Sequence, residues 1–254
     1  MYPLAFAAEQ IAGPGWEVID LTPPGVEAHD LELSLEQRSK LQEAAVVLYP
    51  GDLGFQPQVE QAVEEAEGEV IESTLEGGMF LIDGDPHFWL DAIHFHQVAE
   101  ALAILLGELD PQRQGDYGKN NGWLAKKLFE LSDRIVEDLQ PCRFDTMIVT
   151  HEAFAYLLRG NNDLQQFGLS GLTPEAEPTA SRLAQARQLI DDGRAGAVFY
   201  EDHGDAQRIA ESFAGDADVP ALPLSTLESR PAEGDYFTVM EDNLESLREG
   251  LRCR

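Results

Sequence analysis

Three histidines stand in similar short loops, far apart in the chain. His87 lies in Asp85-Pro86-His87-Phe88-Trp89-Leu90-Asp91, between a proline and an aromatic pair, just ahead of an apolar helical pattern. His29 lies in Gly25-Val26-Glu27-Ala28-His29-Asp30, and His151 in Thr150-His151-Glu152-Ala153-Phe154. Neutral imidazoles are transition-metal ligands, and three of them with one carboxylate suit the four-donor tetrahedron of zinc. Manganese prefers a more oxygen-rich shell. Glu228 is the candidate carboxylate; Glu201, Asp202 and His203, in Tyr200-Glu201-Asp202-His203-Gly204, compete with it for the fourth place. Asp30, Asp85 and Asp91 flank two of the histidines and can orient imidazole N–H groups from behind. Any one of these histidines alone is more often a turn or cap residue than a ligand; their equivalent settings together make the metal case. His94 and His96 lie two apart in a helical pattern, face different sides, and read as surface or packing residues. Phe88, Trp89 and Phe154 read as packing that fixes the loops.

The elements that must carry these residues alternate between short and long apolar patterns. Strand-like runs are Val18-Ile19-Asp20-Leu21, Val46-Val47-Leu48-Tyr49, Phe80-Leu81-Ile82, Thr146-Met147-Ile148-Val149, Ala197-Val198-Phe199-Tyr200 and Pro220-Ala221-Leu222-Pro223. Helical patterns fall at 57–66, 91–107, 179–192 and 205–214. This alternation predicts an α/β fold with mainly parallel sheets flanked by helices. One segment breaks it. Leu124, Leu128, Leu131, Ile135 and Leu139 form a single helical stripe within 117–139, between Pro111 and Pro141. A helix of that length reaches roughly 30 Å and can join two lobes. The expected organisation is an N-terminal lobe over 1–114, a connecting helix over 115–141 and a C-terminal lobe over 142–254. A last helix carries Phe237, Met240, Leu244, Leu247 and Leu251 on one stripe. Ligands of open α/β sheets bind beyond the carboxyl ends of strands. His29, His87, His151 and Glu228 each follow a strand-like run, so two candidates are expected from each lobe, facing one cleft. The loop Gly168-Leu169-Ser170-Gly171-Leu172-Thr173-Pro174 lacks the spacing and lysine of a phosphate cradle.

Composition narrows the function. The 254 residues hold 47 acidic and 17 basic side chains, a net charge of −30. That excludes nucleic acid and anionic membrane surfaces as partners, since both are held by Lys and Arg. With only Lys40, Lys119, Lys126 and Lys127 as lysines, the acidic shell suits a high-salt medium that screens self-repulsion. No run is long and apolar enough to span a bilayer. No basic and apolar leader opens the sequence at Met1-Tyr2-Pro3, which fits a leader removed or a start mis-assigned. Cys142 and Cys253 make no Cys-x-x-Cys pattern. They pair as one disulfide if the chain is exported and otherwise remain two thiols.

Taken in order, these segments resemble the metal-specific substrate-binding proteins of ABC transporters. The resemblance covers nearly the whole chain. It is carried by Tyr2-Pro3-Leu4, Pro23-Pro24-Gly25-Val26-Glu27-Ala28-His29-Asp30, the 85–91 segment, His151-Glu152-Ala153-Phe154-Ala155-Tyr156, Leu172-Thr173-Pro174-Glu175-Ala176-Glu177-Pro178 and Tyr236-Phe237-Thr238-Val239-Met240-Glu241-Asp242-Asn243-Leu244. The resemblance implies two α/β lobes joined by a rigid helix, with small lobe movements. It implies His29, His87 and His151 as ligands, a histidine at the third position accompanying zinc. Leu227-Glu228-Ser229 resembles the fourth-ligand segment of a zinc-binding subgroup, in a shorter loop. It further implies a monomeric, extracytoplasmic receptor that hands its ion to an ABC permease and its ATPase, not an enzyme. Three features depart from the family: the leader, most of the first strand before Tyr2, and the His-rich loop. In that last region the chain instead carries Glu64, Glu65, Glu67, Glu69 and Glu72, which read as a solvated face. A manganese receptor of the same type, or a zinc hydrolase with Glu152 as general base, are the alternatives.

Overall fold

The computed structural model describes residues 1–74, 82, 84–161, 163–170, 176–201 and 204–254. The chain is α/β, with parallel strands flanked by helices, and divides into two compact units. The first comprises Met1–Glu130 and Leu227–Tyr236; the second comprises Leu131–Thr226 and Phe237–Arg254.

In the first unit, helices α1 (Tyr2–Ala12), α2 (Leu35–Glu43), α3 (Pro57–Val63) and α4 (Ala92–Leu109) accompany strands β1 (Val46–Tyr49) and β2 (Glu69–Glu72). β1 and β2 pair in parallel, Val46 opposite Glu69 through Tyr49 opposite Glu72. β2 falls in the acidic stretch expected to be only a solvated face. Its one fully buried side chain is Ile71, so its sequence shows little apolar alternation. α2 is equally polar and buries only Leu41. Its start is set by a capping box, in which Ser34 accepts from the Gln37 amide and Gln37 accepts from the Ser34 amide. The segment Val18-Ile19-Asp20-Leu21, expected as a strand, pairs with none of the described strands. With Val46, Val47, Leu102 and Leu106 it lines an apolar cavity of about 470 Å³. Val18, Ile19 and Leu21 therefore face a cavity there without a backbone ladder. Of Phe80-Leu81-Ile82, only Ile82 lies among the described residues, and it is a bend.

In the second unit, β3 (Thr146–Val149), β4 (Gln165–Gly168), β5 (Val198–Tyr200) and β6 (Ala221–Pro223) form a parallel sheet in the order β4-β3-β5-β6. β3 is buried throughout, as a central parallel strand must be. Helices α6 (Ala180–Asp191) and α7 (Ala206–Ala217) set Ala186, Ala210 and Ala214 against Ile148, Leu169 and Val198. β4 escapes the sequence pattern because Gln165-Gln166-Phe167-Gly168 carries one large apolar residue. A Cβ on Gly250 would lie 2.4 Å from Phe199 Cζ, so glycine there lets α8 (Tyr236–Leu251) approach β5.

Helix α5 (Gln114–Asp138) runs 25 residues from the first unit into the second. Its expected stripe is real: Leu124, Leu128, Leu131 and Ile135, with Leu139 just beyond the helix, are all buried. Within the second unit, Arg134 pairs with Glu241 at 2.8 Å and Arg248 with Asp138 at 3.7 Å, tying α5 to α8.

The cysteines are bonded to one another, closing a loop of 111 residues that clamps the start of the second unit to its end. Cross-linking so distant a pair restricts the unfolded chain, a term of about 2–5 kcal/mol. The double substitution Cys142→Ser/Cys253→Ser is therefore expected to lower the free energy of unfolding by about that amount, measured by urea unfolding beside the oxidised and reduced native protein. Identical midpoints for oxidised and reduced protein would refute the bond's contribution.

Candidate metal centre

The first unit gathers three of the four candidate ligands. The turn after Thr22 is shaped by Gly25 at φ 77 and closed by the Val26 amide donating to the Pro23 carbonyl at 3.1 Å. Gln56, itself buried, donates to the Ala28 carbonyl at 3.0 Å and fixes the loop that presents His29. His87 caps a one-turn 3-10 helix, Phe88–Leu90, whose three side chains are wholly buried. Asp85 receives both the His87 amide, at 2.9 Å, and the His87 ring at Nδ1, at 2.6 Å. Asp91 then caps α4 through the Ile93 and His94 amides.

Glu228 enters from the other end of the chain. The preceding Leu227 is buried and adopts φ 60, a left-handed conformation that costs a side-chain-bearing residue about 1–2 kcal/mol. The segment was expected to bring its ligand from the second lobe; instead it packs into the first unit. There the Tyr2 amide donates to the Glu228 carbonyl at 3.4 Å, and Tyr236 Oη donates to the Trp89 carbonyl at 2.6 Å. The Glu228 carboxylate receives the Ala28 amide on Oε2 at 3.1 Å. Its Oε1 lies 3.1 Å from His87 Nε2 and 3.6 Å from His29 Nε2. The ligand atoms of His29, His87 and Glu228 thus lie within 4.8 Å of one another. Phe55 and Trp89 wall the group, with Phe55 edge-on to His29 at 4.3 Å and Trp89 edge-on to His87 at 5.3 Å.

The second unit holds His151, buried, just past the carboxyl end of β3. Its Nδ1 lies 2.6 Å from Glu201 Oε1, and Glu201 follows β5, the neighbouring strand. Glu201 is thus the partner of one candidate ligand, while Glu228 stands among the other two. Asp202 and His203 lie outside the described residues. Glu152 accepts the Gly168 amide at 3.1 Å and pairs with Arg182 at 2.9 Å, which occupies the side chain that a hydrolase would need as a base. His94 is buried with Nδ1 on Asp91 at 2.6 Å, and His96 packs its ring on Phe129 at 5.0 Å, both as expected of packing residues. Asp30 is exposed. The residue that sequence reasoning undervalued is Glu201, whose position beside His151 is set by strand order rather than by any local motif.

Burial opposes a charge on His87, but hydrogen bonds to Asp85 and Glu228, and the charges of both acids, outweigh it. Together they push its pKa up from 6.5 to about 10. The ring therefore holds its proton well above neutral pH.

A family model described as zinc-uptake complex component A, periplasmic (ZnuA), matches residues 1–250. The zinc-binding lipoprotein AdcA of Streptococcus pneumoniae is 27% identical over 274 residues, covering 98% of this chain and 54% of that protein. The chain thus spans about half the length of the first such relatives. The high-affinity zinc uptake system protein ZnuA of Bacillus subtilis is 23% identical, covering 98% of this chain and 85% of that one. Among solved structures, the Zn(II)-bound ZnuA-like domain of Streptococcus pneumoniae AdcA superposes with a TM-score of 0.82 at 28% identity, covering 98% of this chain and 96% of that one. The laminin-binding protein of Streptococcus agalactiae, at 24% identity and a TM-score of 0.88, covers 98% of this chain and 96% of its own and shares the fold.

The raised pKa of His87 has a thermodynamic consequence for protein stripped of metal by a chelator. Its folded pKa lies above its unfolded value, so its contribution to stability is complete below about 6.5 and is lost as pH rises through about 10. Denaturant unfolding of the chelated protein across that window is expected to show falling stability, with the fall blunted in His87→Gln. The same pH dependence in the variant would remove His87 as its cause.

Proposed function

Because the chain belongs to the family of zinc-uptake complex component A, we propose that it captures zinc outside the cytoplasm and delivers it to an ABC permease and its ATPase. The observation that carries this reading is the convergence of His29, His87 and Glu228 on one point of the first unit. In the proposed site His151 supplies the third imidazole and closes the tetrahedron, giving three nitrogen donors and one oxygen. That donor set favours zinc over manganese. Four protein donors also leave no place for an activated water, so the chemistry is capture and release. The engagement of Glu152 by Gly168 and Arg182 points the same way. The Cys142–Cys253 bond suits an oxidising, extracytoplasmic compartment.

Capture proceeds by exchange. Glu228 and Asp85 hold the His87 imidazolium in the metal-free protein. Zinc takes Nε2 and one oxygen of Glu228, and the proton leaves to solvent. Affinity is then expected to keep rising with pH through the neutral range and on toward about 10, beyond the unperturbed imidazole value near 6.5.

Calorimetry tests both statements. The native protein is expected to bind one zinc and, near pH 7.5, to release close to one proton, read from the dependence of the heat on buffer. His151→Ala is expected to weaken zinc by roughly 100-fold or more, about 2.7 kcal/mol. Equal zinc affinities for the native protein and His151→Ala would sink the four-ligand site, and displacement of zinc by equimolar manganese would overturn the choice of ion.

A further inference from the structure

We infer that Glu201 is a positioning residue for the metal, acting only through His151. The inference rests on the zinc-capture reading above. Its geometry is confined to the second unit. β3 and β5 pair with Val149 opposite Phe199, and the Thr150 amide continues the ladder to the Phe199 carbonyl at 3.1 Å. Two residues beyond each strand partner stand His151 and Glu201. The sheet register thus brings them side by side, with Nδ1 and Oε1 2.6 Å apart. Both side chains are 2% exposed, so neither can turn to solvent for a substitute partner.

The contact assigns the ring's two nitrogens. A carboxylate on Nδ1 accepts the N–H there and leaves Nε2 as the donor for a metal. An ion-pair contact this close also restrains the ring plane and makes Nε2 a stronger base. The first unit repeats the arrangement by another route. Asp85 takes His87 Nδ1 at 2.6 Å, supplied from two residues upstream in the same loop rather than from a neighbouring strand. One unit obtains its carboxylate–imidazole pair from local sequence and the other from strand pairing.

A double-mutant cycle tests this, with zinc affinity measured against a competing chelator for the native chain, Glu201→Gln, His151→Ala and the double variant. Glu201→Gln keeps the side chain's shape and removes its charge; it is expected to weaken zinc 10- to 100-fold. The same change in the His151→Ala background is expected to cost nothing more, because the ring through which it acts is gone. An unchanged affinity for Glu201→Gln alone overturns the inference. So does an equal loss in both backgrounds, which would make Glu201 an independent ligand. If His151→Ala binds zinc as tightly as the native chain, the metal-site reading fails and this inference falls with it. Should Glu201→Gln not fold, nitrogen-15 NMR of His151 in the native chain decides: an Nδ1-protonated ring supports the inference, and an Nε2-protonated ring overturns it.

Discussion

The structure of the first unit turns on a buried carboxylate. Glu228 is nearly inaccessible, and a carboxylate so placed must find donors or give up its charge. It finds the Ala28 amide, 200 residues away in sequence, and the His87 ring, 141 residues away. The loop over 22–34, the 3-10 turn after His87 and the segment Leu227–Tyr236 are brought to one place by the same acid. Removing it would leave the Ala28 amide without its acceptor and the His87 ring with Asp85 as its one remaining carboxylate partner among those described. This polar knot has a role that apolar packing cannot fill: it fixes which atoms meet, whereas hydrophobic burial fixes only that they are close.

The aromatic wall gives the knot its strength. Trp89 and Phe55 pack edge-on against His87 and His29, His87 being fully buried, and the Trp89 backbone is itself fastened by Tyr236 Oη. Phe95 and Phe6 stack on the Tyr236 ring at 4.7 and 5.6 Å, so the tyrosine is anchored at both ends. In such surroundings a hydrogen bond between charged groups is worth more than in water, and an unpartnered one costs more. The raised pKa of His87 follows from that balance.

The sequence was legible where chemistry and periodicity coincide. The stripe Leu124 to Leu139 announces α5, the run Thr146-Met147-Ile148-Val149 announces β3, and the three histidines are marked by their shared setting after strand-like runs. It was illegible where tertiary contact supplies what local pattern lacks. α2 is a polar helix held by its capping box, and β2 and β4 are short strands with few apolar residues. Conversely, residues 18–21 are apolar and β-branched enough to read as a strand, yet find no ladder among the described strands. The grouping of Glu228 with the first unit was hidden for the same reason, since nothing local to Leu227-Glu228-Ser229 says which unit it packs against. Glu201 was visible only as a rival ligand, because its relation to His151 exists in the register of two strands.

Leu227 links the aim of an acid to the packing of a core. Its backbone sits in a region natural to glycine, yet its side chain is almost wholly buried. Glycine there would relieve the backbone and lose the anchor; a larger side chain would keep the strain and crowd the core. The tolerance of this position is therefore set by orientation rather than by hydrophobicity. Evolutionary drift at 227 would retune how the neighbouring carboxylate points while leaving His29, His87 and Glu228 unchanged in the sequence, so the aim of the group depends on a residue outside it.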